Sequence, residues 1–98
     1  MNLKEYQEQA KRTCPTLGND KLDLAHMVLG MGSELNELDK AIFENDEVNK
    51  SEELSDIFWY IANYCTFRGF DLNEIYQKSL KDSLNLFGLN PSKFKTFL

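Results

Sequence analysis

Apolar residues in this chain recur mainly at intervals of three and four positions, the spacing of one face of an α-helix. The longest run extends from about residue 20 to residue 45 and repeats at Leu24, Met27, Val28, Met31, Leu35, Leu38 and Ile42. A second run, ending near Arg68, repeats at Leu54, Ile57, Phe58, Ile61, Ala62 and Cys65. The pattern therefore predicts an all-α chain with two long helices at its centre.

Two shorter helices are predicted on either side of the long ones. Residues 3–12 have an amphipathic composition, and the Pro and Gly of residues 14–19 end that helix. Residues 71–74, Asp-Leu-Asn-Glu, form the pattern of a capping box and predict a fourth helix that runs toward Phe87, with Gly88 closing it.

The polar residues 44–50 predict the connection between the two long helices. Asn49 or Ser51 is the expected N-cap of the third helix, and Gly69 is a suitable residue to end it. We expect one domain over residues 1–98, with a core at about residues 3–88 and a tail at 89–98. In the tail, Lys and Phe alternate over residues 93–98, which fits a short strand, a partner contact or a frayed end.

Length and charge narrow the classes of function. A chain of 98 residues is too small to enclose a deep cleft unaided, which makes oligomerisation a plausible remedy. The net charge of −5 argues against nucleic acid or an anionic membrane as the main partner. No apolar run approaches the length of a membrane span, and the first residues lack the apolar core of a signal peptide, so a cytoplasmic location is expected. Cys14 and Cys65 are far apart, which makes a zinc site or a disulfide improbable, and Cys65 is expected in the core.

Two acidic pairs stand out within the long helices. Glu34 and Glu37 form the first pair, and Glu53 and Asp56 form the second. Each pair has i, i+3 spacing, which places two carboxylates about one turn apart on one helix face. Four carboxylates brought together from two helices repel one another unless a counter-charge is present. Mg²⁺ is a natural counter-charge, because it prefers oxygen ligands and also holds substrate phosphates.

A plainer interpretation of the acidic pairs remains open at this point. Acidic residues at i, i+3 are common on solvated faces of helices, and the chain also carries the pairs Asp20/Asp23 and Asp71/Glu74. The large apolar residues that surround the first two pairs favour a site over a solvated face.

The ordered pair of acidic motifs resembles a known family. Residues 30–38, Gly-Met-Gly-Ser-Glu-Leu-Asn-Glu-Leu, precede residues 52–62, Glu-Glu-Leu-Ser-Asp-Ile-Phe-Trp-Tyr-Ile-Ala. This arrangement resembles the Glu-x-x-Glu and Glu-x-x-Asp signature of MazG-like nucleotide pyrophosphohydrolases, in the all-α NTP pyrophosphatase superfamily. The similarity runs from about Tyr6 to Asp82.

The resemblance implies a four-helix module that hydrolyses a nucleoside triphosphate between its α- and β-phosphates, giving the monophosphate and pyrophosphate. It implies that Glu34, Glu37, Glu53 and Asp56 are the catalytic residues and bind Mg²⁺, with Mn²⁺ as an alternative ion. It also implies a homodimer or homotetramer. In such an assembly, we expect the helices to pack through Met27, Met31, Phe43, Trp59 and Phe67.

The fourth helix departs from the family pattern of a Lys, an Asn four residues later and an Arg further along. Lys78 matches the Lys, but Asp82 replaces the Asn and Asn85 stands where the Arg would be. Lys81 is a neighbouring cation and a candidate to compensate for these losses, although a lysine on a polar helix face is usually only solvated. These changes motivate a rival hypothesis, in which the chain is a catalytically decayed helical module that binds nucleotide or a partner protein.

Aromatic and amide side chains near the second acidic pair offer a surface for the nucleoside. Tyr60 follows Asp56 by four residues and is expected to stack on the base, while Asn63 is expected to hydrogen-bond it. Trp59 is expected in the core or at a subunit interface. His26 lies on roughly the same helix side as Glu34, with a packing or interface role favoured over a direct one.

Overall fold

A computed structural model describes residues 1–88, which form four α-helices: α1 (Leu3–Arg12), α2 (Asp20–Phe43), α3 (Glu47–Arg68) and α4 (Leu72–Leu86). Residues 1–88 contain no strand, so the predicted all-α class is confirmed. The predicted segment at residues 93–98 lies outside the described residues. Within the described part, no helix has both the length and the apolar character that crossing a membrane requires.

Polar side chains cap each helix at its N-terminus, as helix ends require. The cap of α3 is Asp46, whose carboxylate accepts hydrogen bonds from the backbone N–H and the side-chain amide of Asn49. The predicted caps Asn49 and Ser51 are therefore wrong, because α3 begins inside the polar stretch that predicted a longer connection. Gly69 ends α3 in the left-handed conformation, at φ 74°, which confirms its predicted place.

Asp71 caps α4, although not as a full capping box. Its carboxylate accepts from the N–H of Asn73 at 2.9 Å, two residues along, in place of the third-residue contact that the box requires.

The two long helices form an antiparallel hairpin, because only three residues separate the end of α2 from the start of α3. Helix α1 packs on α3, and α4 packs on α1 and on the C-terminal part of α3. The core cluster consists of Ala10, Ala62, Cys65 and Leu72, with Leu3, Tyr6, Trp59 and Ile61 packed against it. The predicted core position of Cys65 is confirmed. In this arrangement α2 and α3 face each other over most of their length.

Asp23 holds the connection between α1 and α2 in place. Its side chain is buried, and its two oxygens accept hydrogen bonds from the Leu17 N–H at 2.7 Å and the Thr16 hydroxyl at 2.8 Å. The interpretation of Asp20/Asp23 as a solvated pair is therefore wrong for Asp23. A buried carboxylate is tolerated here because hydrogen bonds satisfy both of its oxygens.

The apolar residues of α2 occupy two different faces. Met27 is fully buried against α3, so the expectation that it lies at a subunit interface is wrong. Val28, Leu35 and Ile42 recur every seven residues, and each is exposed by more than half in the single chain. Phe43 is 88% exposed. Only part of the predicted apolar stripe is therefore used within one chain.

A wide apolar groove of about 800 Å³ lies between α1, α3 and α4. Leu3, Tyr6, Phe58 and Ile75 are among the side chains that line it. None of the predicted site residues lines this groove, so its size gives no support to the acidic site.

Candidate metal centre

The hairpin brings the two acidic motifs face to face. Glu34 and Asp56 are each 11 residues from Asn45 in the connection, and residues at equal distance from the turn of an antiparallel hairpin lie opposite each other. Glu34 comes from the middle of α2, whereas Glu53 and Asp56 come from the second and third turns of α3. The site is therefore built from two helices that are close in sequence.

Three of the four predicted acids converge. One carboxylate oxygen from each of Glu34, Glu53 and Asp56 lies within 4.8 Å of the others. Glu34 and Glu53 are half-buried, while Asp56 is open to solvent. Glu37 lies one turn further along α2 and is outside this group of three. It faces Glu53 across a small polar cleft of about 70 Å³, which Lys40 and Asn49 also line.

The clustering changes the proton affinity of Glu34. Its pKa is raised from 4.5 to about 7, first by hydrogen bonding with Glu53 and then by burial. The negative charges of Glu53, Asp56 and Glu37 raise it further. A hydrogen bond between two carboxyl groups requires a shared proton, so the cluster carries more negative charge than it accommodates without a counter-charge.

The donor set suits a hard divalent cation. All three groups offer carboxylate oxygens, and they converge from two helices on a face that solvent reaches at Asp56. Mg²⁺ and Mn²⁺ favour oxygen ligands of this kind, and Mg²⁺ usually keeps several waters, which leaves room for substrate. Glu34, Glu53 and Asp56 would hold such a cation, which would supply the positive charge that the shared proton otherwise gives. The residues present therefore fit the expected ion.

Tyr60 lies next to the cluster and packs on the backbone of α2. An added Cβ on Gly30 would overlap Cε1 and Cζ of the Tyr60 ring and lie 2.8 Å from its hydroxyl oxygen. Burial raises the pKa of Tyr60, and the negative charges of Glu34 and Asp56 raise it further. Tyr60 thus lies on α3 one helical turn after Asp56, as the spacing predicted.

Two further rings surround Tyr60. The Trp59 ring meets it edge-on with centroids 5.1 Å apart, and the His26 ring does so at 6.2 Å. Trp59 also donates from Nε1 to the Thr13 hydroxyl at 2.9 Å and packs against the core cluster. Nδ1 of His26 is buried and has no hydrogen-bond partner among the described residues.

The other predicted substrate-binding residues lie apart from the acids. Asn63 is only 1% exposed, and its amide donates to the Trp59 carbonyl one turn earlier in α3. Lys78 forms an exposed ion pair with Asp82 at 2.6 Å on α4. Lys81 is exposed on the same helix. In the described part of the chain, α4 does not pack on α2, so neither lysine joins the cluster.

Sequence reasoning missed three polar residues that line the small cleft: Lys40, Glu44 and Asn49. Lys40 follows Glu37 by three residues and Asn49 precedes Glu53 by four, so each shares a helix face with an acid. That spacing was available in the sequence. The spacing did not predict that Asn49 shares a helix face with Glu53, because α3 was expected to begin at or after Asn49.

One of the comparisons with known proteins gave a match. A family model described as the MazG nucleotide pyrophosphohydrolase domain matches residues 23–82, a range that contains all four acids of the two motifs. Comparison with curated proteins and with solved structures gave no match.

Proposed function

The chain belongs to the MazG nucleotide pyrophosphohydrolase family, and on that premise we propose that it hydrolyses a nucleoside triphosphate to the monophosphate and pyrophosphate with Mg²⁺ or Mn²⁺. The observation that carries the proposal is the convergence of Glu34, Glu53 and Asp56 within 4.8 Å. These three residues come from two helices, and all lie inside the matched range.

Each acid of the two motifs has a place in this proposal. Glu34, Glu53 and Asp56 hold the cation, and Glu37 contributes from the adjacent turn. The bound cation supplies neutralisation of the phosphate charge and a lower pKa for water. The attacking water gives its proton to a carboxylate of the cluster and approaches a phosphorus of the α–β anhydride in line with the departing group.

The nucleoside and the outer phosphates take the space around the cluster. Tyr60 is the aromatic side chain that supports the proposal of base stacking, because its ring lies beside Glu34 and Asp56. Asn63 acts only indirectly, since it is buried against its own helix. Lys40 brings a positive charge to the cleft that the acids Glu37, Glu44 and Glu53 line. Lys78 and Lys81 reach the phosphates only if α4 or a second subunit brings them closer.

A homo-oligomer is part of the proposal. Val28, Leu35 and Ile42 form an exposed stripe with a seven-residue repeat, which is the spacing of helices that pack side by side. Such a stripe is self-complementary across a two-fold axis, so a second copy is its natural partner. We propose a dimer or tetramer in which this stripe forms a contact between subunits.

One observation favours the rival function of a non-catalytic module. On α4, Lys78 forms an ion pair with Asp82. The Asn and the Arg of the family pattern are replaced on the same helix by Asp82 and Asn85. A module of that kind would retain the acidic cluster and bind nucleotide without turning it over. The two functions therefore differ in pyrophosphate release and agree in cation binding.

Substitution of the acids tests the proposal against a matched control. Glu53→Gln keeps the side-chain shape but removes a charge that the cation needs, so we expect pyrophosphate release to fall about 100-fold or more. Glu37→Gln should reduce it in the same direction. Glu52→Gln makes the same change on the adjacent exposed residue and should leave the rate unchanged. Unchanged turnover in both Glu53→Gln and Glu37→Gln would rule out the assigned site.

Thermal unfolding gives a second readout that does not need substrate. A cation that binds only the native state raises the melting temperature as its concentration increases. We expect Mg²⁺ and Mn²⁺ to do so for the wild type and for Glu52→Gln, and to do so weakly for Glu53→Gln. Absence of any shift at millimolar cation, with nucleotide present, would count against the metal site.

A further inference from the structure

Helices α2 and α3 approach each other closely at one point beside the acids. At Gly30, the Tyr60 ring occupies the volume that a side chain would fill on any other residue. Gly30 and Tyr60 are each 15 residues from Asn45, so the contact joins directly opposed positions of the hairpin. The other glycine in this part of α2, Gly32, has open space where its Cβ would be.

The contact lies one helical turn from a proposed metal ligand on each helix, Glu34 on α2 and Asp56 on α3. Gly30 precedes Glu34 by four residues, and Tyr60 follows Asp56 by four, a distance of roughly 6 Å along each axis. The ligands come from both helices, so the local separation of α2 and α3 sets how far Glu34 lies from Glu53 and Asp56. Mg²⁺ requires oxygens at about 2.0–2.1 Å in near-octahedral geometry, which makes binding sensitive to that separation.

The surroundings of Tyr60 hold its ring in one position. Trp59 and His26 meet it edge-on from two directions, and Trp59 is itself fixed by its hydrogen bond to Thr13. A ring confined in this way has little freedom to move aside when a side chain is added at Gly30 of α2. The contact between Tyr60 and Gly30 is therefore a rigid one.

We propose that the contact of Tyr60 with the bare backbone at Gly30 sets the separation of α2 and α3 at the carboxylate cluster. Tyr60 and Gly30 are then positioning residues for the divalent cation, which deepens the proposed function and rests on it. The role is separate from base stacking, because it acts on the cation in the absence of any nucleotide.

The central test compares Gly30→Ala with Gly32→Ala. Both put the same methyl group into the same helix, but only the first meets the Tyr60 ring. Mg²⁺ affinity is measured by calorimetry without nucleotide, with circular dichroism and sedimentation to check folding and assembly. We expect Gly30→Ala to weaken binding about 10- to 100-fold, the range typical of residues that orient metal ligands. Gly32→Ala should change it less than about twofold.

Substitutions at Tyr60 keep the test decisive even when Gly30→Ala does not fold. Tyr60→Leu removes the ring while leaving Gly30 intact and should also weaken Mg²⁺ binding, whereas Tyr60→Phe keeps the ring and should bind as the wild type does. In a folded Gly30→Ala protein, adding Tyr60→Leu frees space for the new methyl group and should restore part of the lost affinity.

The outcomes separate this inference from the function on which it rests. Wild-type affinity in folded Gly30→Ala, or in Tyr60→Leu, would overturn the positioning role and leave the metal site standing. A wild-type protein that binds no Mg²⁺ at millimolar concentration would overturn both. Weak binding by Gly30→Ala and Tyr60→Leu beside normal binding by Gly32→Ala and Tyr60→Phe is the result that supports the inference.

Discussion

The carboxyl group of Glu34 has a pKa of about 7, well above the ordinary glutamate value of 4.5. Because folding raises this pKa, the native state binds the proton more tightly than the unfolded chain does. The stabilising contribution is therefore fully present below about pH 4.5 and is lost as the pH rises through about 7. We expect the melting temperature of the metal-free protein to fall between pH 5 and pH 8 for this reason.

Glu34→Gln should flatten that dependence, because an amide does not ionise. Asp39→Asn, at an exposed acid of the same helix, serves as the control and should behave as the wild type does. Thermal unfolding in chelator at several pH values measures the effect. A pH dependence in Glu34→Gln equal to that of the wild type would contradict the assignment of the raised pKa to this residue.

Individual site residues were predictable from the sequence only as far as one helix determines them. The i, i+3 spacing places Glu53 and Asp56 on one face, and the structure brings both to Glu34. The spacing does not reveal that Glu37 lies outside the group of three or that Asn63 is buried, because both depend on how α2 and α3 face each other. Periodicity gives the face of a helix, whereas the contact between helices decides which residues of that face meet.

The connection between α1 and α2 offers a test at the level of a structural element. Asp23 is buried and accepts hydrogen bonds from the Leu17 N–H and the Thr16 hydroxyl, so Asp23→Ala removes the acceptor of both groups. We expect a loss of about 1–3 kcal/mol in the free energy of unfolding. Asp20→Ala removes an exposed acid three residues earlier and should cost less. Equal effects in urea denaturation would show that the buried bonds contribute little.

Helix boundaries were predictable where a residue type has a specific backbone role. Gly69 ends α3 because its positive φ suits glycine, and the Pro and Gly after α1 end that helix as expected. The start of α3 was missed because Asp46 stands in a mostly polar stretch, and polarity does not separate a solvated first turn from a loop. The exposure of Val28, Leu35 and Ile42 on α2 was not predicted either. Periodicity identifies an apolar face but does not tell which partner covers it.

Assembly is the test at the scale of the whole molecule. Val28 and Ile42 lie two heptads apart on the exposed stripe of α2 and away from the carboxylate cluster. Val28→Glu combined with Ile42→Glu should convert the proposed oligomer to a monomer near 11.4 kDa, because four charges would face one another across a two-fold axis. Sedimentation at micromolar concentration measures the change. Leu86→Glu, at an exposed leucine of α4, serves as the control and should leave the assembly unchanged.

A wild-type protein that is monomeric at that concentration would contradict the proposed interface. The metal site and its chemistry would then have to function within one chain. Oligomerisation also determines whether α4 contributes to the site. Lys78 and Lys81 lie apart from the cluster of their own chain, so under the proposal a second subunit is one way to bring them to the phosphates.

Product analysis tests the central claim most directly. The purified wild-type protein is incubated with each common ribo- and deoxyribonucleoside triphosphate and Mg²⁺, and the products are separated by ion-exchange chromatography. We predict nucleoside monophosphate and pyrophosphate in equal amounts from at least one nucleotide, with no turnover in chelator. Release of orthophosphate with a nucleoside diphosphate, or no product from any nucleotide, would contradict the account.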